Sequence, residues 1–254
     1  MSKKMFDITN KIALVVGGGG GIGGASALSM AEFGATIVVA DLNLVAAEEQ
    51  AHQIEKLGGR AMPLHVDITS PAQVERMAEL TISEFGKIDI LLNSTGATVR
   101  KPLLDMTTEE WNHVLNVNLT GAFHLSKAIG REMINKHRGK IIHIASTGGI
   151  RAGANFSVYG ASKAALIHMV KGLALEWAPY KINVNAIAPT ATETNFTAAY
   201  YAENPDKKEK TVKNHPFGRI GRLDDYVGAA VYLASPASDF VNGEVIVIDS
   251  GKTI

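Results

Sequence analysis

The chain has no cysteine among its 254 residues. That excludes disulfides, cysteine-ligated zinc, iron–sulfur clusters and thiol catalysis. It also lacks a surplus of either charge: 25 Lys and Arg are balanced by 25 Asp and Glu, so no basic excess is left for nucleic acid or an anionic membrane. Charged residues make up 20% and hydrophobic ones 46%, against the composition of disordered chains. No stretch approaches the ~18 consecutive apolar residues of a membrane span. Asp7 and Asn10 interrupt the start of the chain before an apolar signal core could form, so no targeting segment is expected and a cytoplasmic location is. No internal repeat, low-complexity linker or compositional break divides the chain, and no metal site is expected.

What is present is an alternation. Short runs rich in Ile, Val and Leu occupy residues 11–17, 36–41, 61–67, 88–95, 140–146, 181–189 and 244–249. Their lack of polar alternation marks strands buried on both faces, hence a parallel sheet. Helical patterns lie between them at 22–33, 44–57, 71–85, 108–137, 157–178 and 224–234. Ser70-Pro71 and Thr107 or Thr108 before Glu109-Glu110 are helix starts, and Gly34, Gly58 and Gly86 are helix ends. The prediction is an α/β fold: one Rossmann-type doubly wound domain over 1–254, with a seven-stranded parallel sheet and helices on both faces. The irregular stretch 190–216 reads as a substrate lid or as disorder, and is taken as a lid.

Between the first strand and first helix lies an unbroken glycine run, Gly17 to Gly21, continued by Ile22, Gly23 and Gly24. Glycines there permit a tight turn, close approach of a pyrophosphate and close helix–strand packing, and the helix N-terminus offers free N–H groups to phosphates. Gly17, Gly20, Gly21, Ile22 and Gly23 are therefore candidate cofactor residues in a dinucleotide-binding unit. Asp41 closes the second strand, where a carboxylate accepts hydrogen bonds from ribose hydroxyls and repels a 2′-phosphate. A solvated strand-end Asp would look the same in isolation. Leu42 follows it and Gly20 carries no positive charge, so NAD is expected rather than NADP.

Ser146 ends the fifth strand, while Tyr159 and Lys163 lie four residues apart on one helix face. A phenol titrates near ~10. A close ammonium can lower that by ~1–3 units, and a phenol so tuned can exchange a proton with a substrate oxygen. Ser146 would hold that oxygen by a hydrogen bond. Taken singly, the Tyr–Lys pair could equally be a solvated helix pair and Ser146 a satisfied core hydroxyl.

Several motifs occur in order. They are Gly17-x-x-x-Gly21-Ile22-Gly23, Asp67 after the third strand, Asn93-Ser94-Thr95-Gly96 after the fourth, and Asn118 within Asn116-Val117-Asn118-Leu119. Ser146, Tyr159-Gly160-Ala161-Ser162-Lys163, Asn185-Ala186-Ile187-Ala188-Pro189 and Thr194 follow. From about Phe6 to Gly251 the chain resembles the short-chain dehydrogenases/reductases. The resemblance implies that Tyr159 is the general acid/base, Ser146 orients the substrate oxygen, and Lys163 lowers the tyrosine pKa and binds the nicotinamide ribose. It implies that Asn118 holds a relay water and that Asp67 contacts the adenine. Ile68, Asn93, Ser94, Thr95, Pro189, Thr190, Ala191 and Thr192 join the cofactor set, and Ile187 and Thr194 would bracket the carboxamide. The cofactor would carry the hydride and the protein would supply position and a proton.

The chain departs from the family pattern at Val16, at Ser94-Thr95, at Asp249-Ser250-Gly251, and at Thr190, where a glycine usually follows the proline. Candidate substrate residues are Gly148, Arg151, Asn155 and Thr192, with Asn195 through Tyr201 from the lid. Arg151 could pair with a carboxylate or phosphate, or be a solvated loop arginine. Arg100-Lys101-Pro102, Glu176-Trp177-Ala178 and residues 237–243 are similar to the gluconate 5-dehydrogenase and deoxygluconate dehydrogenase branch. A polyol, sugar or sugar acid is the expected substrate. The alternatives are a 3-oxoacyl-[acyl carrier protein] reductase, against which Asp41 and the neutral charge argue, and a non-catalytic dinucleotide sensor, which would tend to lose Tyr159 or Lys163. The resemblance further implies a homotetramer pairing 108–137 and 157–178 across a two-fold axis, with a second contact through 224–249.

Overall fold

Each apolar run becomes a strand; the inner strands are covered on both faces, while the edge strands at Ala61–His65 and Val245–Ile248 are only part-buried. A computed structural model describes residues 2–254, apart from the side chains of Ser2, Lys3, Asn195, Phe196 and Ala199; Met1, where the reading of the N-terminus begins, lies outside them. The strands are β1 (Ile12–Val16), β2 (Thr36–Asp41), β3 (Ala61–His65), β4 (Ile90–Asn93), β5 (Gly139–Ile144), β6 (Ile182–Pro189) and β7 (Val245–Ile248). All pair in parallel, in the order β3-β2-β1-β4-β5-β6-β7. Most strands are shorter than the apolar runs that announced them. β3 leaves the ladder at His65, which carries Asp67 out to the rim.

The helices are α1 (Ser2–Met5), α2 (Gly21–Glu32), α3 (Leu44–Lys56), α4 (Pro71–Phe85), α5 (Thr108–Leu115), α6 (Gly121–Lys136), α7 (Ser157–Trp177), α8 (Asn195–Glu203), α9 (Pro205–Lys213) and α10 (Asp224–Ala234). The sheet has a core on each face. One packs α4, α6 and α7 through Met77, Leu125, Ile129, Met133 and Val170. The other packs α2, α3 and α10 through Met30, Ile54, Tyr226 and Leu233. The start and stop signals act as expected. Ser70 caps α4, Thr107 and Glu110 form a reciprocal capping box on α5, and Gly86 ends α4 in the left-handed region.

Two expectations change. The single helix over 108–137 is instead α5 and α6 joined by a π turn, Asn116–Thr120. Such a turn has no signature in apolar periodicity, and it is a feature of functional sites. The stretch 190–216 contains two helices, α8 and α9, with a Thr194–Thr197 capping box at the start of one and Pro205 at the start of the other.

His143 on β5 is fully buried between β4 and α6. Ser126 Oγ donates to the carbonyl of Ala122, so it accepts from His143 Nε2–H; the Asn93 amide then donates to Nδ1. The neutral ring is satisfied and a second proton would meet a donor. Burial, with the charge of Lys163, pushes its pKa down to about 3. An unfolded histidine titrates near ~6.5. The unfolded chain therefore takes this proton first, and the contribution to stability is complete above ~6.5 and is lost as pH falls toward about 3. We expect the urea midpoint to drop across that window, and His143→Gln to flatten the drop while costing ~1–3 kcal/mol at pH 7.5. An unchanged pH slope in the variant would contradict this assignment.

Candidate active site

Strand order reverses between β1 and β4, so the connections on either side leave on opposite faces and a crevice forms beyond the carboxyl ends of the strands. A cleft of ≈ 1100 Å³ lies there, just above the ~300–1,000 Å³ typical of small-ligand pockets. A second cavity, at the opposite ends of the strands, is lined by Lys11, Asp89, Arg138, Lys140 and Asp239. Those five charges pair with one another: Lys11 and Arg138 with Asp89, and Lys140 with Asp239.

The glycine turn forms one end of the cleft. Gly17 and Gly21 have φ of 74° and 56°, where a side chain would be strained. A Cβ at Gly23 would stand 2.1 Å from the Gly17 carbonyl oxygen, so this residue seats α2 against the turn and does not line the cleft. Gly20 caps α2 without a side chain, and space is open at its Cα. The first N–H groups of α2 thus face the cleft uncapped, which fits a pyrophosphate. Asp41 Oδ2 accepts from Gly19 N–H at 3.0 Å and Oδ1 from Asn43 N–H at 3.0 Å, fixing the carboxylate beside exposed Leu42. Asp67 accepts from the hydroxyl and N–H of Thr69, which hold its pKa below the usual carboxylate value. Ile68, Ser94 and Thr95 line the wall between them. Asn93 does not line it. It is buried, receiving the Thr95 N–H and hydroxyl on Oδ1 and supporting His143 from behind the wall.

Ser146, Tyr159 and Lys163 meet at the centre of the cleft. Ser146 follows β5 and its Oγ accepts from Gly148 N–H at 3.0 Å. Tyr159 packs on Phe156, with ring centres 4.5 Å apart. Lys163, one turn further along α7, is 3% exposed; its Nζ donates to the Ile144 carbonyl at 2.8 Å and lies 5.9 Å from the Tyr159 ring centre. Burial pushes the Lys163 pKa down to about 8. It pushes the Tyr159 phenol up, against the opposing pull of Ser146 and of the Arg100 charge. Lys163 is not among the groups that pull it down, since its ammonium is directed to a carbonyl and not to the phenol oxygen.

Asn118 lies in the π turn, buried behind the cleft. Its Oδ1 accepts from Ala97 N–H at 2.7 Å, and its amide donates to the Ala97 carbonyl and to Ser162 Oγ. The side chain therefore pins the loop after β4 to α7, and its amide is not free for a relay water.

Pro189, Thr190, Ala191, Thr192 and Thr194 line the far wall as expected, with Thr197 and Tyr201 from α8. Ile187 does not; it is sealed in the core. Thr190, the departure from glycine, has a partner. His215 Nδ1–H donates to the Thr211 carbonyl, and the Thr190 hydroxyl donates to His215 Nε2, both at 2.7 Å, so the extra side chain ties β6 to the end of α9. Of the substrate candidates, Gly148 and Arg151 line the cleft. Asn155 does not: it is an exposed turn residue at φ 60°. The side chains of Asn195, Phe196 and Ala199, also expected here, lie outside the described residues. Arg100 was missed as a pocket residue. Its guanidinium lies 4.7 Å from the Phe156 ring centre and 4.5 Å from that of Tyr200 in α8. Its position just after the β4 loop was the available signal. Lys252 and Thr253 also line the cleft and carried none.

Comparison with known proteins adds to this geometry. The family profile described as enoyl-(acyl carrier protein) reductase matches residues 17–253. A 2-dehydro-3-deoxy-D-gluconate 5-dehydrogenase of Dickeya dadantii is 37% identical over 97% of this chain and 96% of its own length. An NAD-dependent glycerol dehydrogenase of Listeria innocua is 38% identical over 99% and 97%. The crystal structure of a gluconate 5-dehydrogenase from Burkholderia cenocepacia in complex with NADP and tartrate superposes with a TM-score of 0.95 at 36% identity, covering 100% of this chain and 99% of that one.

Proposed function

The chain belongs to the short-chain dehydrogenase/reductase family, and from that premise we propose that it is an NAD-dependent oxidoreductase acting on a secondary alcohol or ketone of the polyol, sugar or sugar-acid class. The observation that carries the proposal is the convergence of Ser146, Tyr159 and Lys163 in the cleft that begins at the glycine turn. A sensor protein would need none of the three there. The 3-oxoacyl-[acyl-carrier-protein] reductase alternative draws on a relative of that name from Thermotoga maritima, 34% identical over 97% of this chain. Asp41 and the zero net charge favour the sugar-acid and polyol reading. No helix among the described residues is long and apolar enough to cross a membrane, and we infer a cytoplasmic location.

Bound NAD supplies the hydride acceptor, or in its reduced form the donor. The chain supplies the rest. The uncapped N–H groups of α2 hold the pyrophosphate, Asp41 the adenosine ribose, and Lys163 the nicotinamide ribose. Ser146 Oγ holds the substrate oxygen. In oxidation, Tyr159 accepts the hydroxyl proton as the C–H hydride leaves the same carbon; in reduction it returns the proton to the oxygen. Lys163 is the more acidic member of the pair, so the first proton leaves the pair near pH 8. The base so formed is the Lys163 amine; Tyr159, still a phenol, accepts the substrate proton as it hands its own on toward that amine.

Tyr159→Phe should lower turnover ~10²–10⁴-fold while leaving NAD affinity near normal, measured by nicotinamide fluorescence on one preparation. Wild-type alcohol oxidation should rise with pH through about 8 and ketone reduction should fall through it. Near-normal turnover in the variant would send the proton elsewhere. NAD should be preferred over NADP by kcat/KM, and Asp41→Ala should narrow the preference at least tenfold by removing the repulsion. Arg60 is not placed to rescue NADP, since it pairs with Glu84 at 3.0 Å over the Phe85 ring. Higher wild-type efficiency with NADP would contradict the assignment. We further infer a homotetramer, supported by Phe123 on α6 and Leu175 on α7, which are 48% and 80% exposed. Sedimentation should give four chains; a monomer alone would refute it.

A further inference from the structure

The cleft divides by charge. Its two carboxylates, Asp41 and Asp67, follow β2 and β3 at one edge of the sheet. At the other end stand the cations Arg100, Arg151 and Lys252, on loops after β4, β5 and β7. Among the described residues, no Asp or Glu forms an ion pair with any of the three. Unpaired cations gathered in a cleft repel one another unless an anion joins them.

The three are not equivalent. Arg151 is engaged: Nη1 donates to the main-chain carbonyl of Lys252 at 2.9 Å. The same turn is fixed from the other side by Asp249, which accepts from Gly251 N–H, Thr253 N–H and the Thr253 hydroxyl at 2.7–2.9 Å. Ser250 and Gly251 turn the chain there with φ of 59° and 85°. Lys252 is thus carried on a clamped turn, with its stem part-buried and its ammonium unpaired. Burial pushes its pKa down; Asp249 opposes this, and the charges of Arg151 and Arg100 add to it, which places all four groups within electrostatic reach. Aromatic rings flank Arg100, leaving its N–H edges to point elsewhere.

We propose that Lys252 is a specificity-determining residue that, together with Arg100, takes a carboxylate of the substrate, and that Arg151 is a positioning residue that holds Lys252 in place. The inference rests on the oxidoreductase reading and narrows it: the substrate is a secondary alcohol or ketone bearing a carboxylate, a sugar acid and not a neutral polyol. It also reassigns Arg151, which the sequence offered as the anion partner itself.

The test uses D-gluconate and its uncharged counterpart D-sorbitol as probes, titrated calorimetrically into the NADH-saturated protein and assayed as substrates with NAD. Wild type should bind the acid at least tenfold more tightly than the polyol. Lys252→Gln should erase that preference, a loss of about tenfold to hundredfold, the range of a charge-assisted hydrogen bond; Lys252→Arg should keep most of it. Arg151→Gln should raise KM for the acid more than it lowers kcat, and should have no further effect in a Lys252→Gln background. Equal binding of the two probes, no binding of the acid, or a preference that survives Lys252→Gln would overturn the inference. Turnover of neutral alcohols with an unselective pocket would do so while leaving the oxidoreductase reading intact. Failure of every alcohol and ketone to react with NAD or NADP would defeat that reading itself.

Discussion

The site depends on a buried ammonium. Lys163 is almost fully enclosed, and its Nζ is held at 2.8 Å by the carbonyl of Ile144, the last residue of β5. A cation removed from water needs partners, and few are available there. The surroundings are built closely around it. A Cβ at Gly149 would stand 2.6 Å from the Lys163 carbonyl carbon, so the loop carrying Ser146 can pass only as glycine. Asn118 reaches Ser162, the neighbour of Lys163, and pins the loop after β4 to the same helix. Ser146, Tyr159 and the β4 loop are thereby held in one arrangement relative to the lysine. The cost of burial lowers its pKa to about 8.

Around that centre the sheet sorts charge by strand order. Carboxylates close β2 and β3, the uncapped helix end lies beside β1, and cations follow β4, β5 and β7. One cleft thus has an acidic end, an uncapped helix N-terminus and a basic end in sequence. Two contacts tie α8 and α9 to this frame: Thr190 with His215 at the end of α9, and Arg100 with Tyr200 on α8. Both link these helices to loops at strand ends.

Much of this was readable before any coordinates. Parallel strands announce themselves because burial on both faces removes polar alternation, and the glycine turn because glycine adopts the positive φ of 17 and 21 without strain. Ser146, Tyr159 and Lys163 could be placed because spacing on a helix and position at a strand end are local properties. What stayed hidden was long-range or electrostatic. The π turn has no compositional mark. Asn93, Asn118 and Gly23 have the right identities but act from behind the cleft wall, which depends on side-chain direction. Arg100 and Lys252 are 152 positions apart and meet only through the order of β4 and β7 in the sheet. The direction of the Tyr159 shift turned on burial outweighing charge, a balance that needs the geometry.

The central claim is that burial lowers the Lys163 pKa to about 8, and it can be read directly on the side chain. Lysine labelled at Cε and Nζ, with Lys163 assigned through Lys163→Met, gives its titration by NMR in the protein without turnover. The account predicts a midpoint at about 8, set apart from the exposed lysines. A midpoint at the ordinary ~10.4 of lysine would contradict it.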